Sequence, residues 1–405
     1  MYASKKLMIL GGSRYVLPLI KIAHNLNCKV ITCSNNPEEI AHGYSDAYYN
    51  VSVLDKEKLL EIAEGNKIDG IVSFACDPGV VSAAYISEKM GLNFQGSYES
   101  VSILQDKGLF REFLIKNKFN CPHAKRYTNP LDPLNDIEYY TWPVIVKPVD
   151  SAGSKGVTKV DSPEQLPDAI TEAMGQSNGG AFIIEDFLTF KGFHSSTDVF
   201  TVDGEVKFIS FSDQLFDKEA NNPYTPALII WPSTMELKDQ QYLTSEIQRL
   251  MRLLNMNTGI YNIESCVDIN GNPYIMEVSP RGGGCKIAEL QRFAFGIDLI
   301  EAEVRNAIGL PLNSITQTDC DGCWCEMVIH AHSNESGIFE EIIIDPEIEK
   351  RFIKMIELSK KTGEMIYPFT GANMAIGDLF IRTDSRSELN QLIAEIDKWF
   401  KIKLK

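Results

Sequence analysis

The stretch Gly259–Arg281, GIYNIESCVDINGNPYIMEVSPR, constrains the fold more than any other part of the chain. Two largely apolar runs flank Asn270-Gly271, the preferred dipeptide of a tight type I′ turn, so the segment is expected to be a β-hairpin. A two-residue turn there also sets the register. Asp268 would face Pro273 in a pair without ladder hydrogen bonds, where proline's missing N–H does no harm. Counting outward, Glu264 would face Glu277 in another such pair, with Cα atoms about 4.5 Å apart. Asn262 would face Ser279, with Arg281 at the strand end.

Like charges directly opposite each other destabilise a sheet. The neighbours Ile263, Ile275, Met276 and Val278 are apolar, so this hairpin is expected to be packed, not splayed in water. Two carboxylates in that setting imply a cation between them. A hard divalent ion with oxygen ligands fits, and Mg²⁺ commonly bridges carboxylates to nucleotide phosphates. Two acids, two small polar groups and an arginine suit a metal-bound phosphate.

The 405 residues predict two to three domains. Leu7–Leu10, Lys29–Cys33 and Gly70–Phe74 read as short buried strands, alternating with helices over Arg14–Leu26, Lys56–Glu64 and Val80–Met90. That alternation predicts a small doubly wound domain over residues 1–105, with a parallel sheet and helices on both faces. Gly11-Gly12-Ser13 lacks the full G-x-G-x-x-G spacing, and no acidic residue closes the second strand, so it is a tight turn. Gly11–Arg14 and Cys76–Pro78 nevertheless fall at carboxyl ends of strands, where such sheets bind ligands. Further on, Asp106–Lys116 is expected to be helical. Trp142–Val146 and Ala181–Ile184 are expected strands, and Val199–Val202 with Glu205–Ile209 a hairpin about Asp203-Gly204. Trp324–His330, Ile338–Ile344 and Met374–Arg382 read as strands, and Glu347–Leu358 and Ser387–Phe400 as helices, giving an α+β region over 311–405.

Lys147 closes a Val-Ile-Val strand immediately before the loop Ser151-Ala152-Gly153-Ser154-Lys155-Gly156. An ammonium on a rigid strand beside free backbone N–H groups suits phosphate oxygens. The P-loop motif and the protein-kinase motifs are both absent.

In order along the chain, Lys107, Lys147 with its glycine loop, Glu185-Asp186-Phe187-Leu188, Glu264 and Glu277 resemble the ATP-grasp superfamily. The opening domain, with Asp77, Met90-Gly91-Leu92 and Asp106-Lys107, resembles the domain that precedes ATP-grasp there. The resemblance spans about residues 5–310. Residues 324–400 more loosely resemble the C-terminal domains of L-amino-acid ligases and biotin-carboxylase-like enzymes. The resemblance implies a pre-ATP-grasp α/β domain over 1–105, an ATP-grasp domain over 106–310 with a mobile lid near 122–187, and an α+β domain over 311–405.

It also implies roles. Lys107 and Lys147 would contact ATP phosphates, beneath a loop contributing Ser151, Gly153, Ser154 and Gly156. Glu185 would accept from the adenine amino group, with Asp186 beside it and the Leu188 N–H on the ring; His194 would reach the ribose. Glu264 and Glu277 would ligate Mg²⁺, with Mn²⁺ as an alternative. Ser279, a weaker ligand, stands where the family usually has Asn. Arg281 and Lys147 would stabilise an acyl phosphate. The implied activity is ATP-dependent joining of a carboxylate to an amine, with an amino acid as one substrate. Rivals are a bicarbonate-using enzyme of carboxylase or carbamoyl-phosphate type, and a nucleotide-binding regulator without catalysis.

Lys plus Arg number 39 against 55 Asp plus Glu, a net charge of −16. That excess argues against a nucleic-acid or anionic-membrane partner, since both are negative. Substrates are expected to be small molecules, and family analogy suggests a homodimer through the first and third domains. The apolar run Leu7–Leu10 is too short for a signal core, and no run approaches a membrane span. Nine scattered cysteines suit reduced thiols in the cytoplasm. Cys320-Asp321-Gly322-Cys323-Trp324-Cys325, with His330 and His332 on one strand face, lacks the second C-x₂-C of a zinc site and reads as structural. Gly282-Gly283-Gly284 either admits substrate to the backbone or only turns the chain. Substrate specificity is expected in loops about Gly11–Arg14, Cys76–Pro78, Phe211–Ile230 and Gly282–Lys286.

Overall fold

The computed structural model describes residues 4–151, 155–220, 225–332, 335–371 and 374–405. Strands Lys6–Leu10, Lys29–Ser34, Ala47–Asn50 and Gly70–Ser73 form a parallel sheet with Lys6–Leu10 inside it. Successive side chains of a strand alternate between faces. Leu7 and Ile9 accordingly enter one core with helix Leu17–Asn25, while Met8 and Leu10 enter another with helices Lys56–Asn66 and Asp77–Met90. A strand covered on both sides must be apolar throughout, hence the run Leu-Met-Ile-Leu. Helix Leu299–Ala307, from far along the chain, shares the first of these cores.

The central sheet is antiparallel, ordered Glu205–Phe208, Ser195–Val202, Gly259–Val267, Pro273–Ser279. One face rests on helices Lys107–Lys116 and Leu237–Leu253, which present Phe110, Leu114, Leu243, Ile247 and Leu250 to it. The spacing of the last three is that of an amphipathic helix. A separate antiparallel sheet, Ala124–Tyr127, Phe182–Asp186, Val144–Pro148, Thr158–Val160, is backed by helix Leu166–Gln176.

The C-terminal strands Cys323–Ile329, Gly377–Thr383 and Ile353–Leu358 extend a sheet begun by Asp213–Phe216 and Pro226–Trp231. Most of the stretch Phe211–Ile230, expected to be substrate loop, is therefore strand within the described residues. Two expected helices are also shorter. Helix Pro346–Phe352 gives way to strand Ile353–Leu358, and the final helices Arg386–Ala394 and Ile396–Trp399 lead into strand Phe400–Leu404. In both strands every second side chain is exposed; the first of these period-two runs lies inside what reads as a helix, and the second begins at the last residue of another, Phe400.

The hairpin turn also differs from expectation. The Gly271 N–H reaches the Asp268 carbonyl at 2.9 Å, the Asp268 N–H reaches the Asn272 carbonyl, and only Gly271 takes a positive φ, +84°. This is a three-residue loop ending in a left-handed glycine, a common alternative to the two-residue turn. The Asp268 carboxylate accepts the Asn270 and Asn272 N–H groups and stabilises it. Pro273 therefore pairs with Val267, not Asp268. A bulge between Glu264 and Ser265 then leaves Met276 unpaired and restores the expected register beyond it, with Glu264 opposite Glu277 and Asn262 opposite Ser279.

Candidate active site

Glu264 and Glu277 face each other across the bulged ladder. Burial first, and then the Glu277 charge, pushes the Glu264 carboxyl up to about 7. Lys107 partly relieves this pair, with Nζ 3.4 Å from Glu277 Oε2. The same ammonium donates to the Ser151 carbonyl at 3.1 Å. Burial alone would pull Lys107 down, yet Glu277 and Asp77 hold it above its ordinary value, so it stays charged. Its place is fixed by the helix start: the Asp106 carboxylate caps Gly108 and Leu109, and the Lys107 N–H donates to the Val149 carbonyl at 2.9 Å.

Lys147 projects from strand Val144–Pro148 onto Glu185 Oε1, while Glu185 Oε2 accepts from Arg111 Nε at 2.9 Å. Arg111 also donates to the Met276 carbonyl at 2.8 Å, on the hairpin that carries the glutamate pair. Both Glu185 oxygens are thus engaged by cations and the residue is 2 % exposed. Glu185 thereby positions Lys147 as well as lying where the adenine contact is expected. Burial opposes its ionisation, but Arg111 and Lys147 hold the carboxyl down at about 2. Burial meanwhile lowers the Lys147 ammonium, with Arg111 adding repulsion, so the net gain is smaller than Glu185 alone indicates. A depressed carboxyl stabilises the fold above its unfolded pKa and loses that contribution as pH falls toward the folded value. We expect Glu185→Gln to destabilise the protein by about 1–2 kcal/mol at neutral pH and to flatten its acid unfolding between about pH 4.5 and 2, measured by denaturation across pH.

The third element is Arg281, held by the first domain. Its Nε and Nη2 donate to the two Asp77 oxygens at 2.9 and 2.6 Å, and Nη1 to the Gly282 carbonyl at 3.0 Å. Asp77 opens helix Asp77–Met90, just beyond the carboxyl end of strand Gly70–Ser73. Ser279 donates its hydroxyl to Asp77 at 2.8 Å and accepts from Gln105 at 3.2 Å, so it is tied into the Asp77 network rather than pointed freely at a metal.

Beyond Arg281 the glycines are fixed by close approach. A Cβ on Gly282 would lie 2.1 Å from the Phe74 ring, and one on Gly283 would lie 2.7 Å from Asn262 Nδ2. The open choice about this segment resolves to packing for those two. The Gly283 N–H and the Asn262 amide both donate to fully buried Asp198, whose carboxyl burial pushes up to about 7. Arg14, at the other strand end, reaches Asp378 at 2.5 Å and joins the first sheet to the last.

The residues expected at the adenosine sit on or after the Phe182–Asp186 strand. The Asp186 carboxylate accepts the Thr141 N–H at 2.9 Å and pairs with His123 at 3.0 Å. Among the described residues the Leu188 N–H has no hydrogen-bond partner. His194 bridges to Gln214, its ring centroid 3.9 Å from that of Phe190; burial lowers it to about 4, so it is neutral at pH 7. Gly156 has φ +68°, whereas Gly153 and Ser154 lie outside the described residues. All nine cysteines are free, and burial pushes Cys76, beside Asp77, up to about 11.

Sequence reasoning did not assign three contributors: Arg111, Asp198, and Asp77 as the partner of Arg281. Arg111 left one signal, since it lies between Phe110 and Leu114 on the buried face of its helix. Asp198 sits in the strand Ser195–Val202, where its charge alone marks it. Asp77 left its position at a strand end.

Two lysines and an arginine thus stand around the paired carboxylates, a set of charges that suits phosphate oxygens. Residues 140–289 match the ATP-grasp domain family. The L-amino acid ligase of Bacillus licheniformis has the same fold over the whole of both chains, with TM-score 0.82 at 19 % identity. The biotin carboxylase domain dimer of Hydrogenobacter thermophilus 2-oxoglutarate carboxylase, solved with MgADP and bicarbonate, superposes at TM-score 0.76 over 99 % of this chain and 91 % of its own, at 17 % identity. In sequence, the carbamoyl phosphate synthase large chain of Thermotoga neapolitana is 26 % identical over 288 residues, 70 % of this chain. The chain spans about a quarter of the length of such relatives. The chain thus carries an ATP-grasp domain at its centre, over residues 140–289.

Proposed function

We propose that the protein is an ATP-dependent carboxylate–amine ligase, working through an acyl phosphate with release of ADP and phosphate, and that an amino acid is one substrate. The observation that carries this reading is the facing pair Glu264–Glu277 with Lys107, Lys147 and the Asp77-held Arg281 around it. The donor set fits magnesium, or manganese in its place: hard carboxylate oxygens whose mutual repulsion a divalent ion would remove. When bound, the ion neutralises phosphate charge.

Lys147 and Lys107 bind and orient phosphate oxygens. Arg281, aimed by Asp77, stabilises the charge on the transferred group. The substrate carboxylate attacks the terminal phosphorus, ADP leaves, and the amine then displaces phosphate from the acyl carbon, losing a proton. No protein nucleophile is needed, because positioning and charge neutralisation carry phosphoryl transfer. The backbone N–H of Leu188, and His194 with its neutral ring, are assigned to the adenosine. The sheet 124–186 serves as the lid, the domains follow the boundaries expected from the sequence, and the assembly is a homodimer. No described helix is long and apolar enough to cross a membrane. The nine free cysteines support a cytoplasmic setting.

A bicarbonate-using reading has one observation in its favour, the sequence similarity to carbamoyl phosphate synthase. One experiment separates the readings. Nucleotide products are measured with Mg²⁺-ATP and pools of carboxylic and amino acids, with and without bicarbonate. ADP and phosphate formed only when carboxylate and amine are both present support the ligase. Turnover on bicarbonate alone supports the rival. AMP and pyrophosphate would rule out the acyl phosphate, and ATP bound but not consumed would make the protein a regulator.

A further inference from the structure

A second constellation lies outside the glutamate pair: Asp217, His330 and His332. Asp217 follows strand Asp213–Phe216, and the histidines follow strand Cys323–Ile329, with Pro226–Trp231 between the two. Continuing the pairings Phe216–Pro226 and Leu228–Met327 sets Asp217, Thr225 and His330 abreast on one face. His330 Nε2 and His332 Nδ1 each lie 3.0 Å from Asp217 Oδ2, and the three ligand atoms fall within 4.8 Å of one another.

The other ring nitrogen of His330 sharpens this geometry. Its Nδ1 is 2.8 Å from the Val328 carbonyl, which can only accept, so Nδ1 carries the proton. In the neutral ring a lone pair on Nε2 then faces a carboxylate oxygen. Two acceptors at 3.0 Å need a cation between them, either a second ring proton or a metal ion. The surroundings are those of a metal site. An Nδ1–H bond to a backbone carbonyl is the contact that orients a ligating histidine. Asp217 is fixed through its other oxygen, which accepts the Glu219 N–H at 2.8 Å. Between them Thr225 is 3 % exposed, and its hydroxyl has no partner among the described residues. That buried hydroxyl has the chemistry to bond a water on a metal.

We propose that Asp217, His330 and His332 bind a divalent transition-metal ion of the Zn²⁺ class, separately from the Mg²⁺ assigned to Glu264 and Glu277. Two imidazoles and a carboxylate select borderline ions over Mg²⁺. The His332 side chain is 53 % exposed, which leaves a fourth position open to solvent for water or an anionic ligand.

The test is Co²⁺ titration of the chelator-stripped full chain in excess Mg²⁺, followed by visible absorption and calorimetry. One equivalent is expected to bind with the intense bands of a low-coordinate Co²⁺. His332→Ala, at an exposed position, and Asp217→Asn should each weaken it by more than the roughly 10–100-fold cost of losing an outer-shell partner. Glu264→Gln should leave it unchanged. Circular dichroism of the metal-free variants checks folding, and His332→Ala decides should Asp217→Asn fail that check. No uptake in excess Mg²⁺, uptake undiminished in His332→Ala, or uptake abolished by Glu264→Gln would each overturn the proposal.

Discussion

Glu277→Gln is expected to lower the rate of ADP and phosphate formation by at least about 10²–10³-fold while leaving the melting temperature nearly unchanged. The two halves of that expectation have different causes. Glutamine keeps the shape of the side chain, but a neutral amide oxygen is a poor ligand for a hard cation, so phosphate charge goes uncompensated. For the fold, the substitution removes a repulsion: Glu264 is raised to about 7 by burial first and by Glu277 second. It also removes the 3.4 Å contact to Lys107, but Glu277 is 32 % exposed at the side chain, so that pair contributes at most about 1 kcal/mol. Loss and relief are of similar size. A second readout follows from linkage: a carboxyl raised to about 7 holds a proton over part of the neutral range, so Mg²⁺ uptake by the wild type should release protons. Calorimetry in buffers of different ionisation enthalpy counts them, and the variant should release fewer. Undiminished turnover in Glu277→Gln would sink the paired-carboxylate argument whatever the thermal data showed.

The hairpin shows how far a sequence carries such an argument. The opposition of Glu264 and Glu277 is readable from Asn270-Gly271, yet the turn is a three-residue loop, and a bulge at Glu264 and Ser265 compensates. Nothing local in the sequence announces the bulge. The alternation of strand and helix in the first hundred residues is legible because each element is buried against its neighbours in sequence. The strand Ile353–Leu358 is not, because its partner Gly377–Thr383 lies further along the chain and decides between two periods that the residues permit equally. The site divides the same way. Lysines, glutamates and the arginine stand at positions that motifs mark. What holds them does not: Arg111 reaches Glu185 across 74 residues, and Asp77 reaches Arg281 across 204. Pairing over such distances belongs to the tertiary fold, so residues that position others remain hidden where motifs mark the residues assigned to the substrate.

Asp77→Asn tests that division, because it alters a residue assigned no contact with ATP. The carboxylate grips Arg281 through both oxygens and accepts the Ser279 hydroxyl, with side-chain exposures of 19 % for Asp77 and 10 % for Arg281. Removing one partner leaves a guanidinium short of its counter-charge in a largely dry site, a loss of about 3–5 kcal/mol for fully buried pairs; partial exposure sets about 3 kcal/mol here. Burial opposes the Asp77 charge but Arg281 overcomes it and keeps the carboxyl below its ordinary value, so the contribution exists above the unfolded pKa and disappears in acid. The variant should therefore approach the wild type in stability as pH falls. Turnover should drop by about 10²-fold through kcat, since Arg281 remains present but is no longer aimed. The companion Asp77→Asn/Arg281→Met separates the two effects. Replacing both charges removes the orphaned guanidinium, so stability should recover toward the wild type while turnover stays lost. A double variant as unstable as Asp77→Asn alone would mean that the first domain holds the site through packing at Phe74 and Gly282, not through this ion pair.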